Sequence, residues 1–103
     1  MDLIEAIRTK NLACVQRLLT KGVCPNHVDD SHQITPLHYA VSANSPEAIL
    51  LLMTAGAKLL AKTIDGETPL DLAKNLKHNA CLELLERFLI SAELTLSLAE
   101  RKN

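Results

Sequence analysis

Aromatic side chains are almost absent from this chain. Tyr39 and Phe88 are the only two among 103 residues, and there is no tryptophan. Aromatic anchors supply much of the buried area in a small core, so this one has to be assembled from Leu, Ile, Val, Ala and Met. Readers of single-stranded nucleic acid stack bases on aromatic platforms, and that class is disfavoured. Excess charge of either sign is missing as well. Eleven basic against 12 acidic residues leave a formal charge of −1, which offers no field to nucleic acid or to an anionic membrane surface. With 48% hydrophobic residues and so little net charge, the composition is that of a folded chain rather than a disordered one.

Further absences narrow the function. Three glycines leave no phosphate-cradling loop, and neither Gly-x-Ser-x-Gly nor His-Glu-x-x-His occurs. No nucleophile with a partnered base stands out, so the expectation is a protein that is not an enzyme and needs no cofactor. Long apolar runs are lacking too. The longest, Ala48 to Met53, falls well short of the roughly 20 residues that cross a bilayer. The opening MDLIEAIRTK has Asp2 and Glu5 where a secretory signal would have a basic start and an apolar core. Three cysteines, an odd number, do not make a disulfide framework, which predicts a reducing, cytoplasmic setting.

What is present is a repeat. Thr35-Pro36-Leu37-His38-Tyr39-Ala40 and Thr68-Pro69-Leu70-Asp71-Leu72-Ala73 begin 33 positions apart. Gly22 and Gly56 each follow an alanine, Ala6 and Ala40, by sixteen positions. Val15, Ile49 and Leu82 keep the same register, as do Leu18, Leu52 and Leu85. A period near 33 points to stacked helical units, each burying its apolar face only against its neighbours.

Local chemistry fits helix pairs. Thr35 and Thr68 suit N-caps, with Pro36 and Pro69 in the first helical position. Leu37, Ala40 and Val41 then form one apolar face. The short helix is expected to end near Asn44, which tolerates a left-handed backbone. Ser45-Pro46 starts a second helix, with Ile49, Leu50, Leu52 and Met53 on its apolar side and Gly56 as its stop. The core expected from this pattern is Leu3, Ile7, Val15, Leu18, Leu19, Leu37, Ala40, Ile49, Leu52, Leu70, Leu72, Ala73, Leu82 and Leu85.

These motifs resemble the ankyrin repeat: TPLH-x-A, an apolar second helix, Gly56-Ala57, and a turn ending in Asp65-Gly66-Glu67-Thr68-Pro69-Leu70. The resemblance spans about residues 1–89. It implies an all-α solenoid of paired antiparallel helices with β-turn fingers, in one domain covering 1–103. Repeat 1 would be about 1–34, acting as an N-terminal cap with no turn finger preceding it. Repeat 2 would be about 35–67, repeat 3 about 68–89, and a helical extension about 90–103. Three departures stand out. Gln33 occupies the place of a finger glycine in a link one residue longer than its successor, so that finger is expected to be reshaped. Asp71 replaces the motif histidine, and Leu89 replaces a terminal glycine, so the last helix should run on.

The resemblance also implies that the chain binds a protein partner on its concave side, formed by the fingers and first helices. By position that side holds Arg8 and Thr9, then Asp29, Ser31, His32 and Ile34 of the first finger. Ser42 and Ala43 follow, then Lys62, Ile64, Asp65 and Glu67 of the second finger, and finally Asn75 and Leu76. Ile34, Ile64 and Leu76 are the sharper candidates, because hot spots are apolar anchors in a polar surround. The competing reading of Ile34 and Ile64 is that both tuck against neighbouring fingers. In the C-terminal stretch, Phe88, Leu89, Ala92 and Leu96 share a broad helical face. That face either caps the last repeat or pairs with another chain, giving a monomer or a weak homodimer. Cys24-x2-His27-x4-His32 faintly suggests metal spacing. Cys14, however, falls on a helix position expected to be buried and Cys81 aligns with Ala48, so no metal is expected. His38 reads as a structural hydrogen-bonding residue rather than a base.

Overall fold

The computed structural model describes residues 2–28 and 32–101, with side chains described through Ile90. Six helices follow in order: α1 (Leu3–Arg8), α2 (Leu12–Thr20), α3 (Pro36–Ser42), α4 (Pro46–Thr54), α5 (Pro69–Leu76) and α6 (Asn79–Arg101). No strand occurs among the described residues. Sequential helices pack as pairs, α1 on α2, α3 on α4 and α5 on α6. The pairs stack in two rows, α1–α3–α5 inside and α2–α4–α6 outside. The fold is the ankyrin-type solenoid in three layers.

Each helix start has a chemical cause. Asp2, Asn11, Thr35, Ser45 and Thr68 each accept a backbone N–H three residues on, capping α1 to α5. Pro36, Pro46 and Pro69 open the three helices that need no donor there. The reversals between paired helices pass through a left-handed residue: Lys10 (φ 59°), Asn44 (φ 54°) and Lys77 (φ 59°). Asn44 is where the sequence pattern ends α3. At the other two reversals a lysine carries a conformation that disfavours a Cβ.

The fingers repeat the pattern. Gly66 has φ 81° at the tip of the second finger, and Gln33 has φ 59° at the same place in the first. The reshaping expected of the first finger falls on a link whose residues 29–31 lie outside the described residues. Gln33 itself keeps the left-handed backbone of the glycine it replaces.

Leu3, Ala6, Ile7, Val15, Leu37, Ala40, Val41, Ala48, Ile49, Leu52, Leu70, Ala73, Cys81 and Leu85 form one buried aliphatic core with Ala57. Leu18, Leu19, Leu72 and Leu82, expected in that core, are half-buried at its margin. They lie at the edges of their helices' apolar stripes, where a thin layer covers only part of a leucine. Cys14 is also half-buried, against the expectation of burial. Cys81 is buried in the slot of Ala48, and burial pushes its thiol pKa up. Leu89 packs against the core and α6 continues to Arg101, as the missing glycine suggests.

Polar locks tie the layers together. Between the first and second, the Asn26 side chain accepts the Lys58 N–H (2.7 Å) and donates to the Gly56 carbonyl (3.2 Å). Between the second and third, His38 is the main tie, and it is only 1% exposed. The Thr35 N–H donates to its Nδ1 at 3.3 Å, and the Thr35 hydroxyl meets the same nitrogen at 2.6 Å. Nδ1 is thus an acceptor and the proton sits on Nε2, which donates to the Glu67 carbonyl at 2.8 Å. At the other end of this junction His78 Nδ1 lies 2.7 Å from the Val41 carbonyl. Among the described residues no buried side-chain nitrogen or oxygen is left without a partner.

Two outcomes follow from this geometry. Burial holds the His38 pKa below its ordinary 6.5, partly offset by the Glu67 carbonyl and carboxylate. The unfolded chain then takes up this proton more readily than the folded one. The contribution is whole above the ordinary value and is lost as pH falls through the folded value. Melting should therefore occur at lower temperature at about pH 5 than at about pH 7.5, with a shallower dependence in His38→Asn. Equal slopes in the two proteins would remove His38 from the explanation. At the left-handed reversal before α6, Lys77→Gly relieves a Cβ conflict and should stabilise by about 1 kcal/mol. Urea unfolding reads this directly, and a destabilised variant would contradict it.

Candidate functional site

The two-row packing repeats the inner helices once per layer. The C-terminal ends of α1, α3 and α5 carry equivalent positions, which recur once per layer. Arg8 and Thr9, Ser42 and Ala43, and Asn75 and Leu76 are the three pairs so placed. Arg8, Ser42 and Ala43 share a shallow hollow with Tyr39. Arg8 and Thr9 also border a hollow with Tyr39, Ile4 and the carboxylates of Asp2 and Glu5.

A second group gathers at the third layer. Asp65, Gly66 and Glu67 of the second finger line a hollow with Asp71, Lys74 and Asn75 of α5. The Asn75 amide donates to a Glu67 carboxylate oxygen at 2.9 Å and joins finger to helix. Asp71 stands where His38 stands one layer earlier. The Thr68 N–H donates to its carboxylate at 3.2 Å, and Thr68 in turn accepts the Asp71 N–H. These Thr68 contacts hold the Asp71 carboxyl below the usual carboxylate range. The altered threonine–histidine bonding expected here is thus a reciprocal cap within α5, with no reach to another layer.

The finger itself is tightly tied. The Gly66 N–H donates to the Thr63 carbonyl and the Thr63 N–H to the Glu67 carbonyl. That oxygen also receives His38 Nε2. The Ile64 N–H donates to the His32 carbonyl of the first finger at 2.9 Å. Ile64 is nevertheless 62% exposed, and Leu76 is 42% exposed. Ile34 is half-buried. The two readings of these isoleucines therefore separate: Ile34 is partly tucked in, while Ile64 stands out.

Arg8, His32, Ser42, Lys62, Asp65 and Asn75 are exposed, and Glu67 is half-buried. Lys62 lines a different hollow, with Asn26, Val28, Gln33 and Lys58, yet its charge also helps to lower the Asp71 carboxyl. Asp29 and Ser31 lie outside the described residues, as do the side chains of Ala92 and Leu96. Phe88 and Leu89 are half-buried. Tyr39 is the residue that sequence reasoning set aside. It stands three and four positions before Ser42 and Ala43, which places all three on one helical face, and that spacing was the available signal. Cys24 is exposed and borders an apolar hollow with His27, Leu3, Ile4 and Val23. Among the described residues no three His, Cys, Asp or Glu side chains come together as a metal site. No helix among them is long and apolar enough to cross a membrane.

A stack of capped helix pairs with paired fingers defines a class of repeat protein, and comparison with known proteins gives the family. The family model for ankyrin repeats in three copies matches residues 3–95, and the chain belongs to the ankyrin repeat family. It is 45% identical to the palmitoyltransferase ZDHHC17 of Danio rerio over 73 residues, 71% of this chain and 12% of that protein. It is 36% identical to the ARF GTPase-activating protein Git of Drosophila melanogaster over 84 residues, 82% of this chain and 12% of that one. Among solved structures, the human ASB11 ankyrin repeat domain superposes with a TM-score of 0.78 at 28% identity, covering 85% of this chain and 39% of that domain. The chain thus spans about an eighth of the length of these curated relatives. Ankyrin repeats as a family mediate protein–protein interaction, and the fold is generally not catalytic.

Proposed function

We propose that this chain is a non-catalytic binding module that takes a protein or peptide segment on its concave face. Ile34, Ile64 and Leu76 supply apolar contacts. Arg8, His32, Ser42, Lys62, Asp65, Glu67 and Asn75 supply the polar surround, and Asp29 and Ser31 belong to the same face by position. The observation that carries the proposal is Ile64. Its backbone is pinned by the neighbouring finger, yet its side chain stays in solvent. Burying an isoleucine would add about 1.5–3 kcal/mol to the fold, so an ordered and exposed one is poised for contact with something else. The cytoplasm is the compartment proposed for this encounter.

The test uses a partner captured on the full chain and then measured against variants. Ile64→Asp with Leu76→Asp should weaken binding by about tenfold or more, as expected for apolar hot spots. Leu50→Asp, on the exposed outer face of α4, should leave it unchanged. The opposite ranking would move the site to the outer row.

One observation favours a second reading, self-association through α6. That helix runs twelve residues past Leu89 to Arg101, and Ile90 is 58% exposed on it. Phe88, Leu89, Ala92 and Leu96 would belong to such an interface. Sedimentation equilibrium decides the matter. A mass that rises with concentration from 11.3 kDa toward twice that value supports the dimer, and a constant mass of one chain removes it.

A further inference from the structure

The third-layer end of the concave face differs in character from the rest, and its chemistry narrows the partner. Of the three inner-helix pairs, only Asn75 and Leu76 include a large aliphatic residue, whereas Arg8–Thr9 and Ser42–Ala43 do not. Of the two finger isoleucines, only Ile64 is exposed. Ile64 adjoins Asp65 and Leu76 adjoins Asn75, and both of those neighbours line the same hollow. Each exposed aliphatic is thus one residue along the chain from the lining of this depression, which the Asn75–Glu67 hydrogen bond joins from helix to finger.

The depression is lined by three carboxylates, Asp65, Glu67 and Asp71, and one ammonium, Lys74, with Lys62 also acting on Asp71 from beyond the lining. A chain with a total charge of −1 has concentrated negative charge beside its most exposed apolar finger residue. Among the described residues, none of these carboxylates closes an ion pair with a lysine or arginine. The first-layer hollow is different, since Arg8 there faces Asp2 and Glu5. Exposed charge contributes little affinity but decides which partners are tolerated and how fast they arrive. Aliphatic contact supplies the affinity.

We infer that this end of the face takes a peptide segment in which a lysine or arginine stands next to an aliphatic residue. The cation lies over the Asp65–Glu67–Asp71 hollow and the aliphatic side chain lies on Ile64 and Leu76. The inference rests on the concave binding reading above and goes beyond it by fixing the chemistry of the ligand.

The experiment selects from a phage-displayed random peptide library on the full chain and measures the enriched peptides by fluorescence anisotropy. Enriched sequences should place Lys or Arg beside Ile, Leu or Val. Binding should weaken by about tenfold in the double variant Asp65→Asn with Glu67→Gln, and by a similar factor when the peptide's cation is replaced by glutamine. It should also weaken as salt rises from roughly 50 to 300 mM. Both substitutions keep side-chain shape, at exposed Asp65 and half-buried Glu67, and the amide of Glu67→Gln keeps an oxygen that can accept from Asn75. Acidic or uncharged winners that ignore this double variant, yet fail on Ile64→Asp with Leu76→Asp, overturn the inference and leave the binding reading intact. Winners indifferent to both sets of variants overturn the two together. Failure to enrich any peptide also overturns the inference.

Discussion

The arrangement turns on one histidine. His38 is buried, and both of its ring nitrogens are committed. One closes the Thr35 cap that starts α3, and the other reaches the Glu67 carbonyl in the next layer. A buried imidazole with an unmet nitrogen would cost more than the bond returns, so either partner fixes the position of the other. The same Glu67 oxygen accepts the Thr63 N–H that closes the second finger. Cap, layer spacing and finger closure therefore depend on one ring. The surface that follows, with Ile64 at the tip and Glu67 at the base, inherits its rigidity from that tie.

The locks also differ from layer to layer. The first junction uses the Asn26 amide, the second uses His38 and His78, and the third layer has no equivalent of His38. Asp71 in that position folds its carboxylate back on Thr68. At the end of the outer row, Leu89 continues α6 where a glycine would have turned the chain. Asp71 thus lacks the polar reach of His38, and Leu89 keeps the chain in helix. The acidic hollow is a product of the same change, since Asp71 contributes one of its carboxylates.

Much of this was legible in the residues. The paired Thr-Pro-Leu motifs, 33 positions apart, set the layer period, and Ser45-Pro46 and Gly56 marked the outer helix. The run-on of α6 could be read from Leu89 and from the lack of proline or glycine after it. Other features were not legible, for physical reasons. Lys10, Lys77 and Gln33 adopt left-handed backbones that their side chains do not favour; packing of the layers overrides local preference there. Cys14 and Leu18 follow the apolar register but sit at the rim of a thin layer. Tyr39 was assigned to its helix rather than to the face, although its spacing to Ser42 matched. The split between Ile34 and Ile64 depends on how two fingers pair, which periodicity does not encode. What the surface binds is a separate question from the fold that displays it, and the chemistry of individual side chains has to answer it.

Amide hydrogen exchange of the full chain and of His38→Ala tests the central tie most directly. Removal of the imidazole should speed exchange by about tenfold at Thr63, Ile64 and Gly66 in the second finger. Lys58, held by Asn26 at the other junction, should keep its protection. Unchanged exchange in the finger, or an equal loss at Lys58, would contradict a finger held in place by His38.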